Sequence, residues 1–188
     1  MSDDFYTQMK KEQEILNLSM KESIRQRDER LKVKYVHDKS VYCDGNGEHP
    51  TQTLLDLYTI WEKFNRIEDL TITFVGDIEN SRTIHSLDKA LTNCNKHYRD
   101  TYNEEPWPKS DVYYLTRVQK ERGSRGSYTM KKEHTNTMPE ESIVLHPFPR
   151  NYEIAEWFDT DPRAKYFEQM KNGLYVRMAL LIAYTQYK

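Results

Sequence analysis

LTITFVGDIENSRTIHSL, residues 70–87, is the stretch that decides the fold. Its first part, residues 70–75, is rich in β-branched and aromatic side chains and predicts a buried strand. Gly76 marks the end of that strand, and Ser81 is a suitable N-cap for a helix over residues 82–93. The stretch therefore predicts a strand–turn–helix unit, which is the repeating element of parallel α/β sheets.

The same pattern extends on both sides of this unit. Upstream, HPTQTLLDLYTIWEKF at residues 49–64 has apolar side chains at helical spacing and predicts a well-buried helix. Downstream, residues 111–116 and 142–146 predict two more strands, and the tail predicts two helices that break at Asn172 and Gly173. In the tail, Asp161 and Pro162 are interpreted as an N-cap and a first-turn proline. The predicted class is α/β with a small parallel sheet.

The N-terminal part of the chain has a different character. Residues 3–33 alternate charges, with apolar side chains at rough helical spacing, and predict a long, mostly solvated helix. A turn signal, Asp-Gly-Asn-Gly at residues 44–47, follows a short linker. We therefore expect a charged helical extension with its linker at residues 1–43 and a compact domain at residues 44–188.

Composition excludes several classes of function. With 28 basic and 30 acidic residues, the net charge of −2 does not favour nucleic acid as a partner. Cys43 and Cys94 lack metal-site spacing and are read as reduced thiols. The longest apolar run, residues 178–184, is too short to span a membrane, and the N-terminus lacks the order of a signal peptide. We expect a cytoplasmic protein without metal or cofactor.

Polar clusters follow the predicted strands at the end where open α/β sheets bind ligands. The cationic and amide side chains expected in this crevice suit an anion, because guanidinium groups bind carboxylates through paired hydrogen bonds. A small dicarboxylate would occupy two arginines. Alternatively, these arginines form a structural network with Asp77, Glu79, Glu121 and Glu153. The crevice residues are Arg82, Arg117, Gln119, Lys120, Arg122, His146 and Arg150.

A set of motifs carries a resemblance to a known family. In chain order they are EHPTQTLLDLYTI (48–60), FVGDIENSRTIHSL (74–87), LTRVQKER (115–122), LHPFPRNYEI (145–154) and DTDPRAKYFEQMKNGLYVRMALL (159–181). Together they resemble the aspartate-binding domain of aspartate carbamoyltransferases, and TRVQKER favours the aspartate enzyme over its ornithine-using relative. The resemblance implies a small doubly wound parallel sheet, preceded here by the charged N-terminal helix.

The resemblance also implies roles for individual residues. His49 would polarise the carbonyl of carbamoyl phosphate as the catalytic group, and Gln52 would face its amide. Other positions would hold aspartate, with backbone carbonyls beside the prolines orienting its amine, and Phe148, where the family usually has leucine, predicts a tighter pocket. Alternatively, His49 only caps the helix that Pro50 begins. The substrate-binding residues implied are Gln52, Arg82, Thr83, Arg117, Gln119, Pro147 and Phe148.

Three departures from the family pattern limit the expected chemistry. Residues 1–43 do not match the family's preceding domain, whose Ser-Thr-Arg-Thr loop binds phosphate, and the family's Lys-x-Gly reads Glu79-Asn80-Ser81 here. Residues 91–112 leave no room for the full strand, helix and strand of the family, so the sheet is expected to lack two outer strands. We expect little or no carbamoyl transfer by the chain alone, and a monomer or weak oligomer.

Three functions remain open at this point. The chain is an inactive homologue, a pseudoenzyme or regulator that keeps a site for L-aspartate or a similar dicarboxylate. Alternatively, it is half of a split aspartate carbamoyltransferase of pyrimidine biosynthesis, completed by another chain, or an interaction scaffold. Residues 12–23 also resemble a ubiquitin-interacting motif, which would make ubiquitin a partner, although an amphipathic surface helix explains the same pattern.

Overall fold

A computed structural model describes residues 48–100, 106–120 and 126–186. The predicted N-terminal helix, the segment resembling a ubiquitin-interacting motif and Cys43 lie outside these ranges, so the extension at residues 1–43 stays a prediction. Asp44–Gly173 form one compact unit, while Leu174–Lys188 belong to a second. Every part of the site described below belongs to the first unit.

The centre of this unit is a four-stranded, fully parallel sheet. Its strands are β1 (Thr71–Gly76), β2 (Asn95–Asp100), β3 (Val112–Leu115) and β4 (Ile143–Leu145), in the order β2-β1-β3-β4. The chain therefore moves outward from β1 to β2 and then returns to the other side of β1 for β3 and β4. This reversal opens a crevice at the carboxyl ends of β1 and β3, where ligands bind in such sheets. The predicted α/β class with a parallel sheet is confirmed.

The helices largely follow the predicted positions. They are α1 (Pro50–Phe64), α2 (Arg82–Ala90), α3 (Lys132–Thr137) and α4 (Tyr166–Gln186), with a short 3-10 helix at Glu156–Phe158. Ser81 caps α2 as predicted, because its hydroxyl accepts a hydrogen bond from the Ile84 N–H at 3.4 Å. The helix ends at Ala90, before the predicted Asn93.

Apolar side chains cover both faces of the sheet, which explains why its central strands read as continuous apolar runs. Alternate residues of β3 point to opposite faces, so that Tyr114 packs on one side while Tyr113 and Leu115 pack on the other. The first face is completed by Ile60, Ile72, Phe74, Ile84, Leu87 and Leu145, and the second by Val75, Trp107, Val144, Ile154, Phe158 and Tyr166.

The predicted helix break at Asn172 and Gly173 is wrong, because α4 runs through both residues. Asn172 is buried, and its Nδ2 donates to Thr59 Oγ1 at 3.1 Å and to Glu62 Oε2 at 2.9 Å. The side-chain amide of Asn172 therefore bonds to side chains of α1 and does not compete for the backbone hydrogen bonds of α4. A glycine inside a helix costs only about 1 kcal/mol relative to alanine, which does not end this helix. The interpretation of Asp161 and Pro162 as the N-cap and first-turn proline is also wrong, because α4 begins at Tyr166 and both residues lie in the segment before it.

The prediction that residues 91–112 leave no room for a full strand is also wrong. Strand β2 pairs with β1 along its whole length, from Thr71 opposite Asn95 to Gly76 opposite Asp100. The strand was not predicted because its sequence is polar. The Tyr98 ring stacks on Phe74 with centroids 5.6 Å apart, and Lys96 forms an ion pair with Asp88 at 2.9 Å. Charged side chains are common on such edge strands because they discourage association.

Within the described ranges, no helix is long and apolar enough to cross a membrane. Over the same residues, no group of histidine, cysteine, aspartate and glutamate side chains is arranged to hold a metal ion.

Candidate functional site

A cavity of about 210 Å³ lies at the carboxyl ends of the central strands, beside the start of α1. The catalytic and substrate-binding residues that the family resemblance implies all line it, and their separate roles stay predictions. The cavity walls come from the start of α1, from the loops after β1, β3 and β4, and from the first turn of α2. The lining residues are His49, Gln52, Ser81, Arg82, Thr83, Thr116, Arg117, Gln119, His146, Pro147, Phe148 and Pro149.

The loops after β1 and β3 approach closely because β1 ends in Gly76. This glycine has a φ of +117°, and a Cβ atom built on it would lie only 2.4 Å from the backbone oxygen of Thr116. Tyr128 joins the ends of the two strands, since its hydroxyl donates to the Thr116 backbone oxygen at 2.7 Å and to the Val75 backbone oxygen at 3.2 Å. The absence of a side chain at Gly76 thus lets the two loops share one cavity.

Asp77 fixes the relative position of these loops. Its carboxylate accepts hydrogen bonds from the Gln119 N–H at 3.0 Å and from Asn80 Nδ2 at 3.0 Å. Gln119 Nε2 donates in turn to the Asn80 backbone oxygen at 2.7 Å. The side chain of Gln119, which lines the cavity, is therefore held against the loop after β1.

Helix α2 holds the start of α1. The His49 N–H donates to Ser86 Oγ at 2.8 Å, and the Ser86 hydroxyl donates to the Glu48 carboxylate, which also binds Lys89. Pro50 begins α1 as predicted, but the His49 side chain makes no capping hydrogen bond to this helix. The interpretation of His49 as only a cap therefore lacks the hydrogen bond on which it depends.

The loop after β4 forms the opposite wall. Phe148 has a φ of +50°, which is unusual for a non-glycine residue, and the peptide bond between Phe148 and Pro149 is cis. The Phe148 ring packs against His146, Tyr166 and Phe167, with centroids 5.7 to 5.9 Å apart. These contacts hold the Phe148 ring in place in this wall.

His146 is neutral in this site. Its Nδ1 accepts a hydrogen bond from the Phe148 N–H at 3.0 Å, so the ring proton lies on Nε2. Burial lowers the pKa of His146 to about 3, and the charges of Arg150 and Arg117 lower it further in the same direction. The Nε2 atom lies 3.9 Å from Glu153 Oε2, which is too long for a hydrogen bond, and a neutral ring makes no ion pair there.

The structure separates the arginines that the sequence grouped together. Arg82 and Arg117 line the cavity, whereas Arg150 turns away and binds both oxygens of Asp159. This pairing raises the pKa of Arg150. The predicted position of Arg150 in the crevice is therefore wrong, and its partner is Asp159 rather than Glu153. Lys120 does not line the cavity, and Arg122 lies outside the described residues.

Two cationic side chains from different loops, beside the start of a helix, suit a ligand with two negative groups. Each guanidinium presents paired N–H donors that match a carboxylate. The first turn of α2 adds backbone N–H groups and the positive end of the helix dipole at Arg82 and Thr83. The arrangement can bind a small dianion and hold it against His49 and Gln52.

Comparison with known proteins identifies the family. Residues 103–184 match the model described as "Aspartate/ornithine carbamoyltransferase, Asp/Orn binding domain", and the aspartate carbamoyltransferase catalytic subunit of Picrophilus torridus is 38% identical over 172 residues. The chain belongs to the aspartate/ornithine carbamoyltransferase family. The resemblance in the sequence motifs is thus confirmed. That catalytic subunit matches 73% of the chain, and the match covers 56% of the catalytic subunit.

Other members of the family agree with this assignment. The multifunctional protein pyr1-3 of Dictyostelium discoideum is 42% identical over 73% of the chain, which corresponds to 8% of that large protein. A structure of aspartate transcarbamoylase from Trypanosoma cruzi in complex with aspartate and phosphate has a TM-score of 0.65 and 34% identity, covering 73% of this chain and 54% of that one. The chain thus spans about half the length of its single-function carbamoyltransferase relatives.

Three lining residues escaped prediction as site residues, and the first, Ser81, was predicted only as the N-cap of α2. Thr116 is the last residue of the strand predicted over residues 111–116, and Pro149 adjoins the predicted pair Pro147 and Phe148. Both positions directly neighbour predicted residues, so the signal lay in the strand ends themselves. The sequence analysis also missed the polar side chains packed behind the cavity around Asp56. Their signal in the sequence was weaker: Asp56 is an acidic residue within the otherwise apolar pattern of α1.

Proposed function

We propose that the cavity binds L-aspartate or a similar small dicarboxylate. The observation that carries this proposal is that Arg82 and Arg117, from the loops after β1 and β3, line one cavity together with Gln119. Because the loops are joined through Gly76 and Asp77, the backbone segments that carry the two arginines are held together before a ligand arrives. Preorganisation of this kind favours binding, since less side-chain entropy is lost.

The size and the electrostatics of the cavity support a small ligand. Its volume of about 210 Å³ lies below the range of roughly 300–1,000 Å³ that is usual for sites of drug-sized ligands. His146 is neutral and adds no charge, so the arginines are the charged groups that would attract carboxylates. The structure from Trypanosoma cruzi in complex with aspartate and phosphate, with 34% identity to this chain, also supports aspartate as the ligand.

Residue-specific NMR titration of the ¹⁵N-labelled full chain tests this function, with succinate as the probe and propionate as the matched monocarboxylate. We expect succinate to shift the backbone amides of Arg82, Thr83 and Gln119 with one saturation curve, because its carboxylates engage both loops. Propionate, which carries one carboxylate, is expected to leave the curves unsaturated at the same concentration. Equal responses to both acids, or succinate shifts confined to residues outside the cavity, would contradict the proposal.

The proposal separates binding from carbamoyl transfer. The 188 residues contain no Ser-Thr-Arg-Thr sequence, the family motif expected to grip the phosphate. Without such a grip the donor is not held near the amine, and the gain from positioning is lost. We therefore expect that the purified chain makes no carbamoyl aspartate above the uncatalysed rate, as measured with radiolabelled aspartate. Product formed faster than in a protein-free control would show that this expectation is wrong.

A second candidate is favoured by the coverage of the relatives. The match covers 56% of the aspartate carbamoyltransferase catalytic subunit of Picrophilus torridus, and in this second proposal another polypeptide supplies a phosphate-binding domain. In that case the His49 and Gln52 wall would face a carbamoyl phosphate bound to the partner. The same assay, repeated with a separately expressed phosphate-binding domain of a relative, distinguishes this split enzyme from a regulator that only binds aspartate.

A further inference from the structure

A fully buried carboxylate lies directly behind the cavity. Asp56, on α1, accepts hydrogen bonds from Gln52 Nε2 at 2.8 Å, from Gln169 Nε2 at 2.6 Å and from the Tyr114 hydroxyl at 2.8 Å. These donors belong to three different elements, namely α1, α4 and β3. An ionised carboxylate has only acceptors, so each partner must turn a donor toward it.

This requirement fixes the amide of Gln52, which lines the cavity. Its NH₂ group faces Asp56, and the described residues supply no hydrogen bond to its oxygen. Asp56 therefore fixes the orientation of an amide that lines the cavity. A neutral side chain at residue 56 would remove that constraint, because an amide can rotate to exchange its oxygen and nitrogen.

The same carboxylate fixes a second amide. Gln169 donates its NH₂ to Asp56, which leaves its oxygen to accept the His146 N–H at 2.8 Å. His146 begins the loop that forms the opposite wall with Pro147 and Phe148. One buried group thus contacts both walls through two glutamines. A flip of the Gln52 amide would break its bond to Asp56, and a flip of the Gln169 amide would break its bonds to both Asp56 and His146.

We propose that Asp56 is a positioning residue, whose carboxylate sets the orientation of the Gln52 and Gln169 amides and through them the two facing walls of the cavity. It does not touch the ligand. Only the effect on ligand affinity rests on the proposed dicarboxylate function; the orientation of the amides can be measured without any ligand.

Protonation of Asp56 would interrupt this arrangement. Burial raises the pKa of Asp56 to about 7, and the groups that face it from α1, β3 and α4 are the neutral side chains of Gln52, Tyr114 and Gln169. Their hydrogen bonds lower this pKa but do not cancel the effect of burial. Below that pH the carboxyl group carries a proton, which must itself be donated, so one of the three donors loses its acceptor.

The test follows the side-chain NH₂ signals of Gln52 and Gln169 in the ¹⁵N-labelled full chain between pH 5.5 and 8.5, without ligand. We expect both signals to shift with a shared midpoint near pH 7 in the wild-type chain. Asp56→Asn, which is nearly isosteric, is expected to abolish the shared transition. Two amides that do not titrate together in the wild-type chain, or a transition that survives in Asp56→Asn, would overturn the proposal.

Succinate affinity at pH 8, measured by the same NMR method, adds a readout that a merely structural role would not produce. Asp56→Asn is expected to weaken binding by about tenfold, which corresponds to one lost hydrogen bond. The control is Thr59→Val, which removes the neighbouring Asn172 contact between α1 and α4 without touching either amide. Equal weakening by both variants would overturn the proposal. If no variant and no wild-type sample binds succinate, the dicarboxylate function fails, and the amide titration still decides the role of Asp56.

Discussion

Arg117→Ala is expected to weaken the binding of L-aspartate by at least about 100-fold, because it removes a paired, charge-assisted contact worth roughly 3 kcal/mol. Arg117 follows β3 directly and lines the cavity, and its charge acts on the neighbouring His146. Shortening it to alanine leaves one ligand carboxylate without a partner. Isothermal titration calorimetry, with the folded state checked by circular dichroism, measures the loss.

The matched control for this variant is Lys120→Ala. It removes the same unit charge from the same loop, but Lys120 is exposed and does not line the cavity. Screening by water and salt makes such a charge worth little, so the affinity should change by no more than about threefold. If the two variants weakened aspartate binding equally, the effect would be a general field of the loop and not a bidentate contact.

Gly76→Ala is expected to lower the free energy of unfolding by about 3 kcal/mol or more, since strain at positive φ and overpacking each cost roughly 1–3 kcal/mol. The new Cβ would meet a backbone oxygen, Thr116 O at 2.4 Å, which cannot turn aside as a flexible side chain would. The two central strands would have to separate at the cavity. Urea denaturation followed by tryptophan fluorescence measures the change.

Comparison with Gly126→Ala separates the two causes of this destabilisation, which are the strain at positive φ and the overpacking. Gly126 also has a positive φ, of +92°, but unlike Gly76 it is exposed to solvent. Its substitution should therefore cost only the backbone term, about 1 kcal/mol. Similar losses in both variants would mean that contact between the two loops at Gly76 contributes nothing to stability.

Much of the fold could be predicted because the signals were local. Residues 70–75 are apolar and β-branched where β1 is buried on both faces, and Ser81 stands where α2 needs a cap. The site followed from topology: polar residues after strands that run parallel meet at one edge of the sheet. The lining of a single cavity by Arg82, Arg117 and Phe148 is a consequence of that rule.

The failures have a common origin in contacts between distant residues. Strand β2 was missed because its sequence is polar, as suits an edge strand. Contacts of Tyr98 with Phe74 and of Lys96 with Asp88 hold it in place. Asn172 reads as a helix end, but its amide bonds to α1, more than a hundred residues earlier. Arg150 has Asp159 as its partner, which lies on the far side of a loop whose path the sequence does not reveal.

The central claim is that the cavity binds L-aspartate, and calorimetric titration of the full wild-type chain with L-aspartate tests it most directly. The account predicts saturable binding with a dissociation constant near 1 mM, about −4 kcal/mol, that disappears in Arg117→Ala. Absence of binding to the folded wild-type chain, at concentrations about tenfold above that constant, would contradict the claim and leave the retained motifs with a role in the fold alone.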